Sequence, residues 1–514
     1  MAMNKLFISS LAALSFCAAS YATILHVPTE YATIQAALNV VQDSDTVLVA
    51  SGTYGEALVT PDVSFALLGE SAVDSLRPVV DPSTLPDPTT TSCLVWNGPN
   101  CQIENFVFRN RSAMYPRPVT TDGGVILNAI AASFRNCTFD STNAGLYVSG
   151  FMLLTMGSCQ FVDCPGATVA GEWARIVAEN CYFENYGMRP DSGSVFSHCT
   201  FDSLRKYAMI PLGDLLLESC IFQNGNSPNW PMIDAGYVNP TVRNCIFRNS
   251  IVAHSVFFIS RNCSRDMLIE NNLFENVTST AEDYGRAGLL WSCSSSNGPS
   301  VVTIRGNTFV NCSAPGAGKC VQSPSNDLST VYLDHNRFIN IEGDGPTLAM
   351  HSGYVIARDN IFINTNFALS TDGFCDARYN YWGDPTGPYN AINNPHGLGD
   401  EVSDSVLVFP WYEDSLFSAV PPLELPRDFS FSVYPNPFNS TTRIALDAPG
   451  SFIASIELIN ILGQRVREIH HGPVLGHQEF LIDANSLPSG IYFVNIGDAL
   501  KNSVFSTQKI VLLK

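Results

Sequence analysis

Cys220-Ile221-Phe222-Gln223-Asn224 returns as Cys245-Ile246-Phe247-Arg248-Asn249, then as Asn272-Leu273-Phe274-Glu275-Asn276 and Asn307-Thr308-Phe309-Val310-Asn311. The aromatic anchors this unit. The series starts earlier, at Phe108, Phe139, Phe161, Phe183 and Phe201, and continues through Phe338, Phe362 and Trp382. The mean interval is roughly 25 residues, within the range of solenoid repeats. Two residues before the anchor stand Phe106, then Cys137, Cys159, Cys181, Cys199, Cys220 and Cys245, then Asn272, Asn307, Asn336, Asn360 and Asn380. Two residues after it stand mostly Asn, Ser and Asp, from Asn110 and Ser141 to Asn364 and Asp384.

Strand alternation puts the anchor and its neighbour two residues earlier on one face. Each repeat also carries an earlier apolar stretch, such as Gly145-Leu146-Tyr147-Val148. Helical periodicity is missing. A coil of short strands, one turn per repeat, satisfies the pattern. Coils about 4.8 Å apart make ladders of like residues, and the rod is on the order of 55 Å long. The aromatics then stack in the interior. The Asn and Asp column suits a turn, where side chains bond backbone or each other. Four residues before the anchors, Arg243, Glu270, Arg305, Asp334 and Arg358 alternate in sign. They read as a cross-strand charge ladder. Parity alone would turn this column inward, so the chain must bend just after it.

The chain has 514 residues, 46% hydrophobic and only 14% charged, which excludes disorder as its main state. Its 27 basic and 47 acidic residues give a net charge of −20. Such a chain is repelled by phosphate backbones, so it is not expected to bind nucleic acid. The N-terminus reads as a signal peptide over residues 1–22: Lys5, an apolar run from Leu6 to Ala19, then Ser20-Tyr21-Ala22. No other run is long and apolar enough to span a bilayer. Of 15 cysteines, six occupy one ladder column and read as buried thiols. Cys93 with Cys101, and Cys312 with Cys320, each enclose a short loop and read as candidate disulfide staples in an oxidising compartment. No cysteine set has zinc spacing.

Thr33 is placed to cap a short helix with Ile34, Ala37, Leu38 and Val41 on one face, lying across the first coil. Thr46-Val47-Leu48-Val49-Ala50 follows, then Gly52-Thr53-Tyr54-Gly55-Glu56. Together with the Asn-Cys-Thr-Phe and Asn-Cys-Ile-Phe units, this opening resembles the pectin-lyase-like right-handed parallel β-helix superfamily. The run Asn380-Tyr381-Trp382-Gly383-Asp384-Pro385-Thr386-Gly387-Pro388, with Phe409-Pro410-Trp411, resembles a last-coil closure of that group. The resemblance implies an all-β fold, a β-helix with an N-terminal capping helix over residues 23–415. After a linker at 416–427 containing Pro421, Pro422 and Pro426, a second pattern starts. Tyr434-Pro435-Asn436-Pro437-Phe438-Asn439, Asn460-Ile461-Leu462-Gly463-Gln464, Leu487-Pro488-Ser489-Gly490-Ile491-Tyr492-Phe493 and Lys509-Ile510-Val511-Leu512-Leu513-Lys514 resemble the C-terminal sorting domain of type IX secretion substrates. This resemblance implies a small Ig-like β-sandwich at 428–514, engagement of the type IX machinery, and a secreted or cell-surface protein.

The β-helix superfamily hosts lyases, hydrolases, esterases and binding proteins, so activity must come from the site. The later acidic motifs of pectin methylesterases are missing, and so are the paired aspartates of polygalacturonases. Lyase chemistry remains: a basic side chain and a neutraliser of the substrate carboxylate. Asp334-His335 resembles the Asp-His pair of some pectate lyases, yet Asp334 belongs to the charge ladder. The longer insertions between anchors are the better wall for a sugar groove. They carry Glu282, Asp283, Tyr284 and Arg286, with Trp291 on the next strand and Lys319 in the following insertion. Aromatics there would meet sugar faces, and charges would meet hydroxyls and carboxylates. Ca²⁺ is the one cofactor left open; Glu342 and Asp344 are candidate contributors. No catalytic motif is complete. Two readings stand: a protein that binds an extracellular polysaccharide, with or without cleaving it by elimination, and a non-catalytic adhesion protein with the β-helix as rigid scaffold.

Overall fold

The computed structural model describes residues 22–86, 92–110, 123–258, 267–280, 290–291, 301–315, 319–322, 327–416 and 430–514, apart from 143, 149, 165–166, 186, 236–237, 239, 254, 462, 486 and 499–502. Parallel strands wind into three stacked sheets, assigned as 21, 14 and seven strands. Helix among the described residues is confined to Ile34–Leu38 and two single 3-10 turns. The architecture is a parallel β-helix.

The anchors pair in register, for example Phe161 with Phe183 and Phe274 with Phe309. From Phe108 to Trp382 every consecutive pair of rings stacks, with centroids 4.4–5.6 Å apart. Strand spacing sets this distance, because register fixes each ring over the next.

Each anchor strand lies between two sharp corners, and both come from left-handed residues. Three positions before the anchor φ is 51–64°, at Asn136, Ser158, Asn180, His198, Asn244, Asn271, Gly306 and His335 among others. Two positions after the anchor φ is 50–76°, from Ser141 to Asn364. Short polar residues tolerate this region better than apolar ones, which explains the composition of both columns. The first corner interrupts alternation. The charge column therefore faces out while the column two residues later faces in. On the outer corner Asn276 donates to Asn249, Asn340 to Asn311 and Asn364 to Asn340, at 3.0–3.1 Å.

The inward column changes chemistry along the rod. Cys137, Cys159, Cys181, Cys199, Cys220 and Cys245 are all buried, each thiol against the carbonyl two residues earlier. From Asn272 onward amides replace thiols. Asn272 donates to Asn307, Asn307 to Asn336, Asn336 to Asn360 and Asn360 to Asn380, at 2.9–3.0 Å. Each amide also donates to a carbonyl of the preceding coil, as Asn307 does to Ile269 at 2.9 Å. Each amide oxygen accepts the backbone N–H of the preceding rung. A fully satisfied chain of this kind is compatible with burial.

The candidate disulfides do not form. Cys93, Cys101, Cys312 and Cys320 are free and buried, as are the other eight described cysteines. Cys93 lies against the Arg109 carbonyl, and Cys312 against those of Phe274 and Val310. Alternation sends both into the apolar core, where burial pushes the Cys312 thiol up to about 12.

At the first coil, the Thr33 hydroxyl accepts the Ala36 N–H. Glu56 adds a carboxylate that accepts from Ile34 and Gln35 N–H at 3.0 and 2.9 Å. Ile34, Ala37 and Leu38 are buried against the core. At the other end Trp382 completes the ring stack. Trp411 donates to the Pro385 carbonyl at 3.2 Å and packs where a side chain at Gly387 would stand. Gly387 also has φ of +81°, so glycine is required twice over.

Residues 430–514 form five antiparallel strands around a second, separate core that includes Ile444, Leu446, Ile456, Leu458, Val494 and Ile510. The long strand Thr441–Asn460 pairs with Ser430–Tyr434 in its first half and Gly490–Asp498 in its second. The Asn436 side chain donates to the Lys509 carbonyl and accepts from Val511 N–H, at 2.8 and 2.9 Å, tying the opening motif to the terminal strand.

Candidate functional site

The seven-stranded sheet carries the positions of interest. Its strands include Ile233–Asp234, Phe257–Phe258, Leu290–Trp291, Val321–Gln322, Leu348–Met350 and Phe367–Thr371. Trp291 lies in this sheet, in register with Gln322. Glu282, Asp283, Tyr284 and Arg286 lie outside the described residues.

Lys319 departs from the expected groove wall. It is buried, and its ammonium donates to the carbonyl of Thr365 at 2.7 Å and more weakly to those of Gly343 and Ile341 at 3.4 and 3.5 Å. The carbonyls come from the two following coils, so this lysine staples coils together from within. Burial lowers its pKa. A basic residue in an insertion carries no signal of whether the stem turns in or out, so the sequence could not decide this.

Asp334 sits in register between Arg305 and Arg358, and Arg305 pairs with Glu270 at 2.6 Å. His335 is the left-handed corner residue, 3.3 Å from its neighbour's carboxylate. The pair is part of the ladder. Glu342 and Asp344 gather no third ligand: among the described residues no group of three or more His, Cys, Asp or Glu is placed to hold a metal. His351 and Asp372 meet across two coils at 2.5 Å just beyond the same sheet.

A cluster not singled out in the sequence lies at the edge of this sheet. The Lys206 ammonium lies 5.2 Å from the Tyr207 ring centroid and 4.8 Å from that of Trp230. The two rings meet edge to face at 5.9 Å. Trp230 is 41% exposed. Tyr207 and Trp230 each stand just before the residues, Met209 and Ile233, that bridge to one another at the sheet. Two strand spacings, about 10 Å, separate Ile233 from Leu290. The only sequence signal was two aromatics in neighbouring connections.

Residues 123–251 and 209–367 match the family described as the right handed beta helix region, and residues 432–513 match the secretion system C-terminal sorting domain. The chain is thus a right-handed β-helix protein with a sorting domain. It is a type IX secretion substrate, directed to the cell surface or the extracellular space. No described helix is long and apolar enough to cross a membrane. Among solved structures it is similar to a tailspike protein, gp49 from Acinetobacter baumannii bacteriophage Fri1, described as a capsular polysaccharide depolymerase. Identity is 11%, covering 96% of this chain and 80% of that one, with a TM-score of 0.27. It is also similar to a mannuronic acid specific polysaccharide family 6 lyase from human gut microbiota, at 11% identity, 77% and 88% coverage, and a TM-score of 0.29. No curated protein matches the chain.

Proposed function

We propose that the exported β-helix binds an extracellular polysaccharide along its seven-stranded sheet. The supporting observation is the cluster of exposed Trp230 with half-buried Tyr207 and Lys206 at that sheet's edge. A half-exposed indole beside a phenol offers flat apolar surface to sugar rings, and the ammonium suits hydroxyls or a uronate carboxylate. In this reading the strand Leu290–Trp291 continues the same sheet. The domain plan that goes with it is a signal peptide at 1–22, the β-helix at 23–415, a linker at 416–427 and the sorting module at 428–514.

A second reading, a non-catalytic adhesive scaffold, is favoured by one fact: Asp334, half of the Asp-His pair, and Lys319, expected in the groove wall, serve the coil itself. A glycan array tests binding. Exposure of acidic polysaccharides to the full protein with Ca²⁺, followed by the ultraviolet absorbance of unsaturated uronate, tests elimination. Binding without product supports the scaffold. Product formation supports a lyase. No binding to any glycan removes the polysaccharide reading.

A further inference from the structure

The outer face of the 21-stranded sheet carries a second group of rings, around the corner from the face considered above. Tyr354 and Phe374 are register partners on adjacent strands, Ser352–Arg358 and Phe374–Asp376. Their rings stack at 5.4 Å with 20° between planes, yet they are 46% and 49% exposed. Tyr332, on the preceding strand, is in register with Ile356 and so stands diagonal to Tyr354. It too is exposed. A polar network borders the rings. Asp376 accepts from Arg378 Nε and Nη2 at 2.9 Å and from Arg358. Arg358 and Arg378 each stand four residues after a ring of the pair, Tyr354 and Phe374. Thr303 and Thr330 are in register with Tyr332 and Tyr354.

This arrangement is not explained by folding. The inward faces of the same strands already supply the core through Val331, Leu333, Val355, Ala357 and Cys375. The rings outside leave apolar area in water, which for a secreted protein marks a contact surface. Three features select its occupant. The rings stand on the outward side of a sheet, as register partners on adjacent strands. They are bordered by the Arg358 and Arg378 guanidiniums, both bonded to the buried Asp376 carboxylate, and by Thr303 and Thr330 at register positions, so apolar faces stand beside polar edges. The stack runs along the rod axis at the strand spacing, which is similar to the size of one pyranose. A polysaccharide strand has the matching alternation of C–H faces and hydroxyls.

We propose that Tyr332, Tyr354 and Phe374, edged by Arg358, Asp376 and Arg378, form a second polysaccharide-binding platform on this outer face. The choice of ligand class rests on the polysaccharide reading above; the site is separate from it. The arginines are held rigid by Asp376, and their remaining N–H groups are the donors for sugar hydroxyls.

The test uses the full chain in native gels cast with polygalacturonate, alginate, xylan or soluble β-glucan, with retardation giving the affinity. Tyr354→Ala with Phe374→Ala is expected to weaken retention about tenfold in a polysaccharide that retards the parent. Both side chains are exposed, so the melting temperature should hold. Should it fall, Phe374→Trp and Phe374→Leu decide. The ring-bearing variant is expected to retain binding and the aliphatic one to lose it, while a protein-docking face would accept leucine. Unchanged retention of the double variant, together with loss in Tyr207→Ala and Trp230→Ala, overturns the platform and leaves the first reading standing. Loss in the platform variant alone does the reverse. No retardation of the parent in any gel overturns both.

Discussion

Asn307 shows how much one buried amide does in this fold. Its oxygen accepts from the Asn272 N–H and side chain, and its nitrogen donates to Ile269 and Asn336. Removing it strands groups on both neighbouring coils, and each unsatisfied buried group costs about 1–3 kcal/mol. Asn307→Ala should destabilise by at least that amount in denaturant melts. Asn307→Cys should cost less, because thiols occupy the same column from Cys137 to Cys245. Lys319 gives a second case. Lys319→Met keeps the stem but removes the charge-assisted bond to the Thr365 carbonyl, which then keeps the Phe367 N–H at 2.8 Å. Relief from burying the charge works in the other direction. Since the Thr365 bond is short and two further carbonyls share the ammonium, the loss is expected to prevail, at about 1–3 kcal/mol in the same melts.

At the scale of the strand, the charge column is a cross-coil device. Opposite charges stand at neighbouring rungs, and Asp376 closes the series between two arginines. The Arg378 and Arg358 guanidiniums hold its carboxyl well below the usual carboxylate range. In the unfolded chain the group titrates near its ordinary value, about 4. The stabilisation is therefore complete above that pH and is lost as pH falls through the lower folded value. Asp376→Asn should lower the melting temperature at neutral pH, and the gap from the parent should narrow on acidification below about pH 4. A gap that stays constant down to acid would show that the carboxylate does not contribute through its charge.

For the whole molecule, stability is a sum over neighbouring coils, with a second core outside the sum. Phe309 sits between Phe274 at 4.4 Å and Phe338 at 5.0 Å. Phe309→Ala should cost about 3–5 kcal/mol, concentrated in the coils around it. Calorimetry is expected to show the β-helix transition lowered or split, while the transition of residues 430–514 stays in place. A single transition that moves as one would mean the two cores unfold together.

The repeat columns determined the coil, the ring stack and the amide and charge ladders, because each is a contact between like positions and recurs at fixed intervals; the sorting module was legible from its own motifs between Tyr434 and Lys514. The first left-handed corner was inferred only as a bend, although Asn136, Asn180 and Asn244 share its composition. Tertiary structure alone decided that Lys319 turns inward, that Cys93 and Cys312 remain thiols, and that Tyr354 meets Phe374 on an outer face. Inward positions repeat because every coil fills the same interior. Outward positions answer only to solvent or ligand, so nothing periodic announces them, and their neighbours are fixed only when the coils are stacked.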